Sequence, residues 1–453
     1  MILLNSRNLL TAFLFTFTSL SFAQPNVIVG SKTAYQYNSN QTLTSAPTGY
    51  QAFYIDHVGR HGSRYISKSK YEDLAYHILL LADSQHQLTD SGKDLLRQVT
   101  ILKRLNQNHY GQLTNLGRKD ISLISNRMLA NNPTVFKGQK IEVISTSSPR
   151  AKETAEIFID SFKAKYPNIH VIQQPDNEQT LLRFFEYSPA YSEYKKSKAV
   201  KDAVKSIEYA SQTKQMSKQV AKGIFKKSFL IKLKKGLDES EDTLLKTSDF
   251  VIAIYQLYQE LQAFSPQVLT DNHLDLDRYF SAEQKTWLNT VVTAKNYLQI
   301  GPAFDATGIQ IKIAAPLLWD MIHSADKAIV DNNVDANLRF AHAETVSPLA
   351  TLLEIEGSAN VVKTLFNYPT VWRADKIIPM GANIQWILYK SEQTHQPILM
   401  KVLLNEREVH LPIKTDSYPY YRWNDVKQFY VNKLNKLGLD ENQSAIEMLK
   451  NLK

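Results

Sequence analysis

The chain has 453 residues, 43% of them apolar and 21% charged, and a formal net charge of +9 at pH 7. Those proportions exclude a disordered or fibrous chain, and the length allows one large domain or two to three modest ones. Cysteine is absent, which excludes disulfides, thiolate metal sites and a cysteine nucleophile.

Residues 1–23 read as a secretory signal peptide. Arg7 supplies the positive start, 9–20 an apolar stretch broken only by Thr and Ser, and Ser21-Phe22-Ala23 the small residues before cleavage at Gln24. The run is short of the roughly 20 residues a bilayer span needs. Export to a periplasm or the medium is therefore expected, without membrane insertion. Segment 24–49 is polar and is expected on the surface. Segment 51–58, QAFYIDHV, reads as a core strand, with Gly59 and Gly62 at its end. Leucines at helical spacing mark 70–82 and 91–106 as helices, and 114–128 is a third. KIEVIS at 140–145 is a second strand, 146–149 a turn, 150–166 a helix and 169–173 a third strand. Strand, loop and helix in alternation predict an α/β domain with a mostly parallel sheet flanked by helices.

From 189 to 300 the periodicity is helical. Between Lys195 and Lys235 stand 13 lysines against two acids, Asp202 and Glu208. They form either a solvated face or an electropositive wall over a polyanion site. The sheet pattern resumes after Gly301, with strands at 337–341, 383–389 and 398–404 and a helix at 348–356. Segments 24–188 and 301–453 would thus build one α/β domain, with 189–300 inserted as a mainly α-helical cap. No repeat period suggests a solenoid, and no nucleic-acid module is evident, so no nucleic-acid partner is expected. A monomer is the default.

Chemistry-bearing residues cluster at strand ends, where ligands of open α/β sheets sit. Arg60-His61-Gly62-Ser63-Arg64-Tyr65 follows the first strand. Guanidinium forks bind phosphate oxygens with paired, charge-assisted hydrogen bonds. Gly62 allows a close backbone approach or an unusual φ. Cationic neighbours keep His61 neutral, and neutral imidazole is a nucleophile towards phosphorus. Ser145-Thr146-Ser147-Ser148-Pro149-Arg150 follows a second strand and opens a helix, a place that can hold an anion and add a third guanidinium. His342-Ala343-Glu344-Thr345 follows a third, with His342 and Glu344 on one side of an extended segment. His342 could donate to a phosphoryl oxygen. Glu344, if buried, could carry the proton for a departing alcohol.

Together RHGSRY, Arg150 and HAET resemble the histidine acid phosphatase superfamily, more narrowly its multiple inositol polyphosphate phosphatase, phytase-like branch, which uses His-Ala-Glu where other members use His-Asp. Segments 181–186 and 401–406 add to the likeness, which spans roughly 54–411. The resemblance implies His61 as the phosphorylated nucleophile. It implies Arg60, Arg64, Arg150 and His342 as phosphate ligands and Glu344 as the acid. Inositol hexakisphosphate and lower inositol phosphates are then the substrates, with no metal or cofactor. His57 and Thr345 are additional candidates near the pocket. One departure is Ile66, where the motif usually has proline; a stability effect alone is expected there. Two other readings remain at this level: a broad-specificity periplasmic acid phosphatase, and a non-catalytic binder of anionic polymers. A phosphoglycerate-mutase-type enzyme is disfavoured by the export signal and the large helical insert.

Overall fold

The computed structural model describes residues 29–136, 140–174, 179–240, 243–393, 395–439 and 441–453. The proposed signal peptide lies outside these residues. Ten strands form: β1 (Tyr50–Arg60), β2 (Lys140–Ser145), β3 (His170–Gln173), β4 (Leu237–Ser240), β5 (Thr243–Leu245), β6 (Ala336–Ala341), β7 (Asn383–Ser391), β8 (Leu399–Leu404), β9 (Arg407–Glu408) and β10 (Tyr420–Arg422). The main sheet runs β10-β8-β7-β1-β6-β2-β3, with β9 on β8, and β4–β5 is a separate ribbon.

The main sheet is mixed. β1, β6, β2 and β3 pair in parallel, while β7, β8 and β10 continue it antiparallel. The connections account for this. The few residues between β7 and β8 permit a hairpin, whereas parallel neighbours need long, usually helical crossovers. β1 is the seam, and its last nine residues are buried, which is why it reads as a nearly continuous apolar run.

Among the described residues four α-helices precede β3: α1 (Lys70–Ser84), α2 (Asp90–Asn106), α3 (Asn115–Asn131) and α4 (Pro149–Lys165). α3 and α4 cover one face of the sheet, packing Ile121, Met128, Phe158 and Phe162 on Ile55, Ile141, Leu338 and Phe340. Helices Ala315–Asp331 and Trp423–Lys436 cover the other. α1 and α2 instead share a cluster with helices Ser211–Ile224 and Thr247–Glu260, through Leu79, Leu95, Val99, Val220, Phe250 and Ile254. The helical layer therefore draws on two separate stretches of chain. Helix Ala282–Gln299 joins it to the sheet: Leu288 packs in the helical cluster, Val291, Tyr297 and Leu298 against the sheet.

The lysine-rich stretch is mostly solvated. Twelve of its lysines are exposed, and only Lys195 is half-buried, its Nζ 4.5 Å from the Tyr191 ring centre. Glu406, in the turn after β8, accepts from Arg127 at 2.6 and 2.9 Å and from Tyr35 at 2.8 Å, so this part of segment 401–406 braces the fold. Midway along β1 and β6 lies a buried ion cluster. Arg339 meets Asp56, donates to Asp320 at 2.6 and 2.9 Å and to Ser324 at 3.1 Å, and the Tyr54 hydroxyl donates to Asp56 at 3.0 Å.

Candidate active site

Parallel pairing brings the carboxyl ends of β1, β6 and β2 side by side, and they release the chain at Arg60, Ala341 and Ser145. The sheet ladder runs one residue further. The His61 N–H donates to Ala341 O at 3.1 Å, and Gly381 N–H donates to His61 O at 3.0 Å. The loop that follows is laced to segment 111–114. Thr114 N–H donates to Ser63 O (3.0 Å), Tyr65 N–H to Gln112 O (3.0 Å) and Gly111 N–H to Ile66 O (2.8 Å). Thr114 is also the N-cap of α3, its Oγ1 accepting from Gly117 N–H at 3.2 Å. Gly62 faces Gly117: a Cβ on the first would lie 2.7 Å from Gly117 O, and one on the second 2.0 Å from Ser63 O. Of the two reasons offered by the sequence for Gly62, close backbone approach is the one that applies, and what approaches is α3.

His61 is 3% exposed. Its Nδ1 stands 2.9 Å from Gly62 O. A carbonyl only accepts, so Nδ1 carries the proton and Nε2 presents its lone pair. Burial, then Arg60, Arg64, His342 and Arg150, hold its pKa well below the ordinary value. His342, the residue before helix Ala343–Leu352, stands edge-on with ring centres 5.6 Å apart. Its Nδ1 is 3.4 Å from Arg150 Nη2 and its Nε2 3.0 Å from Thr146 Oγ1. Guanidinium only donates, so Nδ1 accepts and the Nε2 proton goes to Thr146. This corrects the expectation of a free donor: the His342 proton is engaged, and the ring props Arg150. Its pKa falls to about 3 through burial, then Arg150 and Arg183.

Four guanidiniums gather here. Arg60 Nη1 donates to Ser31 O and Ile378 O, both at 2.6 Å, and Arg64 Nη1 to Tyr65 O at 2.9 Å. The Nε atoms of Arg60, Arg64, Arg150 and Arg183 are all buried and make no hydrogen bond within the protein. Burial and then mutual repulsion lower the Arg60 pKa to about 9 and that of Arg64 to about 10. Arg150 is lowered by burial and by Arg183, against the pull of Glu344. Arg183, paired with Glu186, was legible in the sequence only as part of a familiar segment. Thr146 was read only as one of a hydroxyl run.

Glu344 acts electrostatically on Arg60, Arg64, Arg150 and Lys195, so it belongs to the same cluster. It stands in the first turn of a helix and is exposed, not on a buried extended segment as expected. That helix starts at once after His342 and contains Pro348, which the sequence placed at its beginning. Thr345 is buried, its hydroxyl donating to Leu182 O at 2.7 Å, so it fastens the helix to segment Gln179–Leu182. His57 does not approach the cluster's chemistry. It is 1% exposed and its ring packs 5.3 Å from both Phe158 and Phe340 in the layer under α4, with burial lowering its pKa to about 3.

Among the described residues no group of three or more His, Asp or Glu is gathered as metal ligands. A cavity of about 1100 Å³ opens in the helical layer, lined in part by Arg97, Tyr258, His273, Tyr368 and Arg373. None of the seven clustered residues lines it, so cavity size alone does not mark the site.

Comparison with known proteins identifies the family and the fold. Residues 55–405 match the family model described as the histidine phosphatase superfamily (branch 2). Multiple inositol polyphosphate phosphatase 1 of Gallus gallus is 25% identical over 174 residues, covering 36% of this chain and 38% of that protein's own length. The Bifidobacterium longum multiple inositol polyphosphate phosphatase, solved with inositol hexasulfate, superposes with a TM-score of 0.79 at 22% identity, covering 89% of this chain and 97% of that one. A phytase from D. castellii gives 0.66 at 15% identity, covering 94% and 93%. These two structures share the fold.

Proposed function

This chain belongs to the histidine phosphatase superfamily, branch 2, and is an enzyme of the histidine acid phosphatase kind; we propose that it releases phosphate from inositol hexakisphosphate and lower inositol polyphosphates through a phosphohistidine at His61. One observation carries the reading: an imidazole with its Nε2 lone pair held ready stands among four guanidiniums whose Nε–H groups have no partner in the protein.

In the proposed step Nε2 of His61 attacks phosphorus in line and the bond to the ester oxygen breaks. Charge grows on the non-bridging oxygens, which Arg60, Arg64 and Arg150 stabilise more in the transition state than in the ground state. His342 holds Arg150 in place through its Nδ1. Glu344, at the open side, gives the leaving alkoxide a proton. Its carboxylate then takes a proton from the water that cleaves the phosphohistidine. The substrate class rests on the likeness to inositol polyphosphate phosphatases and on the concentration of positive charge, which suits a ligand with several phosphates. The signal-peptide reading of 1–23 supports export to a periplasm or the medium, which N-terminal sequencing of the protein from that fraction would test.

The decisive experiment measures phosphate release from inositol hexakisphosphate and from a monophosphate ester, with rapid acid or alkaline quench to trap phosphoenzyme. Wild type is expected to prefer the polyphosphate and to yield a base-stable, acid-labile adduct. His61→Ala should lose on the order of 10⁴-fold or more in kcat and trap none. Turnover by that variant near wild type would end the mechanism, and a preference for the monophosphate would end the substrate assignment.

A further inference from the structure

The loop that carries Arg64 ends at Ile66, whose backbone N–H is a donor that a proline there would lack. That N–H is not left free: it donates to Glu260 Oε1 at 3.1 Å, across 194 residues of sequence. Glu260 closes helix Thr247–Glu260 and is 2% exposed, so a carboxylate from the helical layer reaches the end of the phosphate loop through the protein interior. Its surroundings are charged from several elements. Lys32 faces it from the N-terminal segment, with Nζ held by Gln256 at 3.0 and 3.2 Å; Glu72 faces it from α1, Asn106 from α2 and Arg64 from the loop itself. Glu72 is occupied by the Asn106 amide at 2.7 Å and the Tyr110 hydroxyl at 3.0 Å.

Two properties set this contact apart from general packing. The hydrogen bond lands two residues after Arg64, on the far side of the ladder to 111–114, so the Arg64 backbone is pinned from both flanks. And Glu260 is 2% exposed, so solvent does not compete for the bond.

We propose that Glu260 is a positioning residue for Arg64: by accepting from the Ile66 N–H it fixes the loop just beyond the residue that carries the guanidinium. The proposal rests on the reading above that Arg64 grips the transferred phosphoryl group. It makes the helical layer part of the catalytic apparatus, because a residue of that layer sets where a transition-state donor stands. A donor fixed this way acts on kcat more than on KM.

The test is a small set of variants of the whole chain, assayed for kcat and KM on the preferred substrate with unfolding midpoints alongside. Glu260→Leu buries the Ile66 N–H without a partner, and kcat should fall roughly tenfold to a hundredfold while KM changes less than about threefold. Glu260→Gln keeps the acceptor and should stay within about fivefold of wild type. Adding Ile66→Pro to Glu260→Leu removes the orphaned donor and should recover about tenfold in kcat, whereas Ile66→Pro alone should lose activity by depriving Glu260 of its donor. This reversal of sign is not expected of a residue that only fills the core. Should Glu260→Leu fail to fold, Ile66→Pro against Ile66→Val decides, since only valine keeps the N–H. Wild-type kcat in folded Glu260→Leu, no recovery in the double variant, or equal activity of the Pro and Val variants overturns the inference. Wild-type protein that hydrolyses no phosphate monoester would instead overturn the reading it rests on.

Discussion

Midway along β1 and β6, Arg339 sits between Asp56 and Asp320 with Tyr54 and Ser324 completing the set. Four residues further along β1, Arg60 meets Arg64, Arg150 and Arg183, offset by exposed Glu344 and by the Glu186 partner of Arg183. The same strands thus carry one buried cluster whose charges answer each other and another whose charges repel. The first needs nothing from outside. The second keeps four buried Nε–H groups unpaired within the protein, a costly arrangement that an anion of several negative charges relieves. Charge balance, not charge content, separates scaffold from site here.

That contrast can be broken from either end. Arg339→Met should leave Asp56 buried with only the Tyr54 hydroxyl, costing about 3–5 kcal/mol in urea unfolding. The kcat of the folded fraction should hold. A catalytic collapse without a stability loss would erase the distinction. Arg150→Ala should do the reverse, raising the transition-state barrier by about 3 kcal/mol, roughly a hundredfold in kcat/KM. Its unfolding midpoint should be unchanged or higher because a like charge is gone. Glu344→Gln should cost an alkyl phosphate roughly tenfold more than an aryl phosphate, since a phenolate leaves with less help from an acid. Equal losses on both esters would remove Glu344 from the acid role.

The last comparison concerns pH. His57 and His342 titrate near 3 in the folded chain and His61 well below its ordinary value. In the unfolded chain all three take protons near 6.5. Below that pH the unfolded state binds more protons, so stability present above 6.5 is lost as pH falls towards 3, by about 1.4 kcal/mol per pH unit for each histidine. His57→Leu, which stays clear of the four site arginines, should make stability fall less steeply with falling pH, by about 1.4 kcal/mol per pH unit in urea titrations between pH 6 and 4, and leave the acid limb of kcat/KM unmoved.

The legible part of this molecule was local. KIEVIS announced β2 residue for residue, and β1 and β6 were marked by apolar runs that stop at polar motifs. His61, Arg60 and Arg64 were readable because strand end and chemistry are adjacent in sequence. The helix after β6 was misplaced because proline normally starts helices, yet Pro348 lies inside one held by buried contacts and by the Thr345 bond to Leu182. Glu344 could be read either as a proton carrier on an extended segment or as an ordinary helix-start carboxylate; it stands exposed in the first turn of the helix. Glu260 carried no signal and Arg183 only that of a familiar segment, since each acquires its meaning from a partner brought near by folding. His57 looked like part of the motif by proximity, but four strand residues put it about 13 Å back along the strand from His61, among Phe158 and Phe340.

The Gly62–Gly117 contact changes how the loop would behave under randomisation. Backbone atoms fill the space on both sides, so a library selected for folding alone would return glycine at each position. Part of what passes for a catalytic signature is thus a mechanical seat for α3. Efforts to retune this enzyme have more freedom at Arg183, whose Glu186 partner is a side chain that can be exchanged with it.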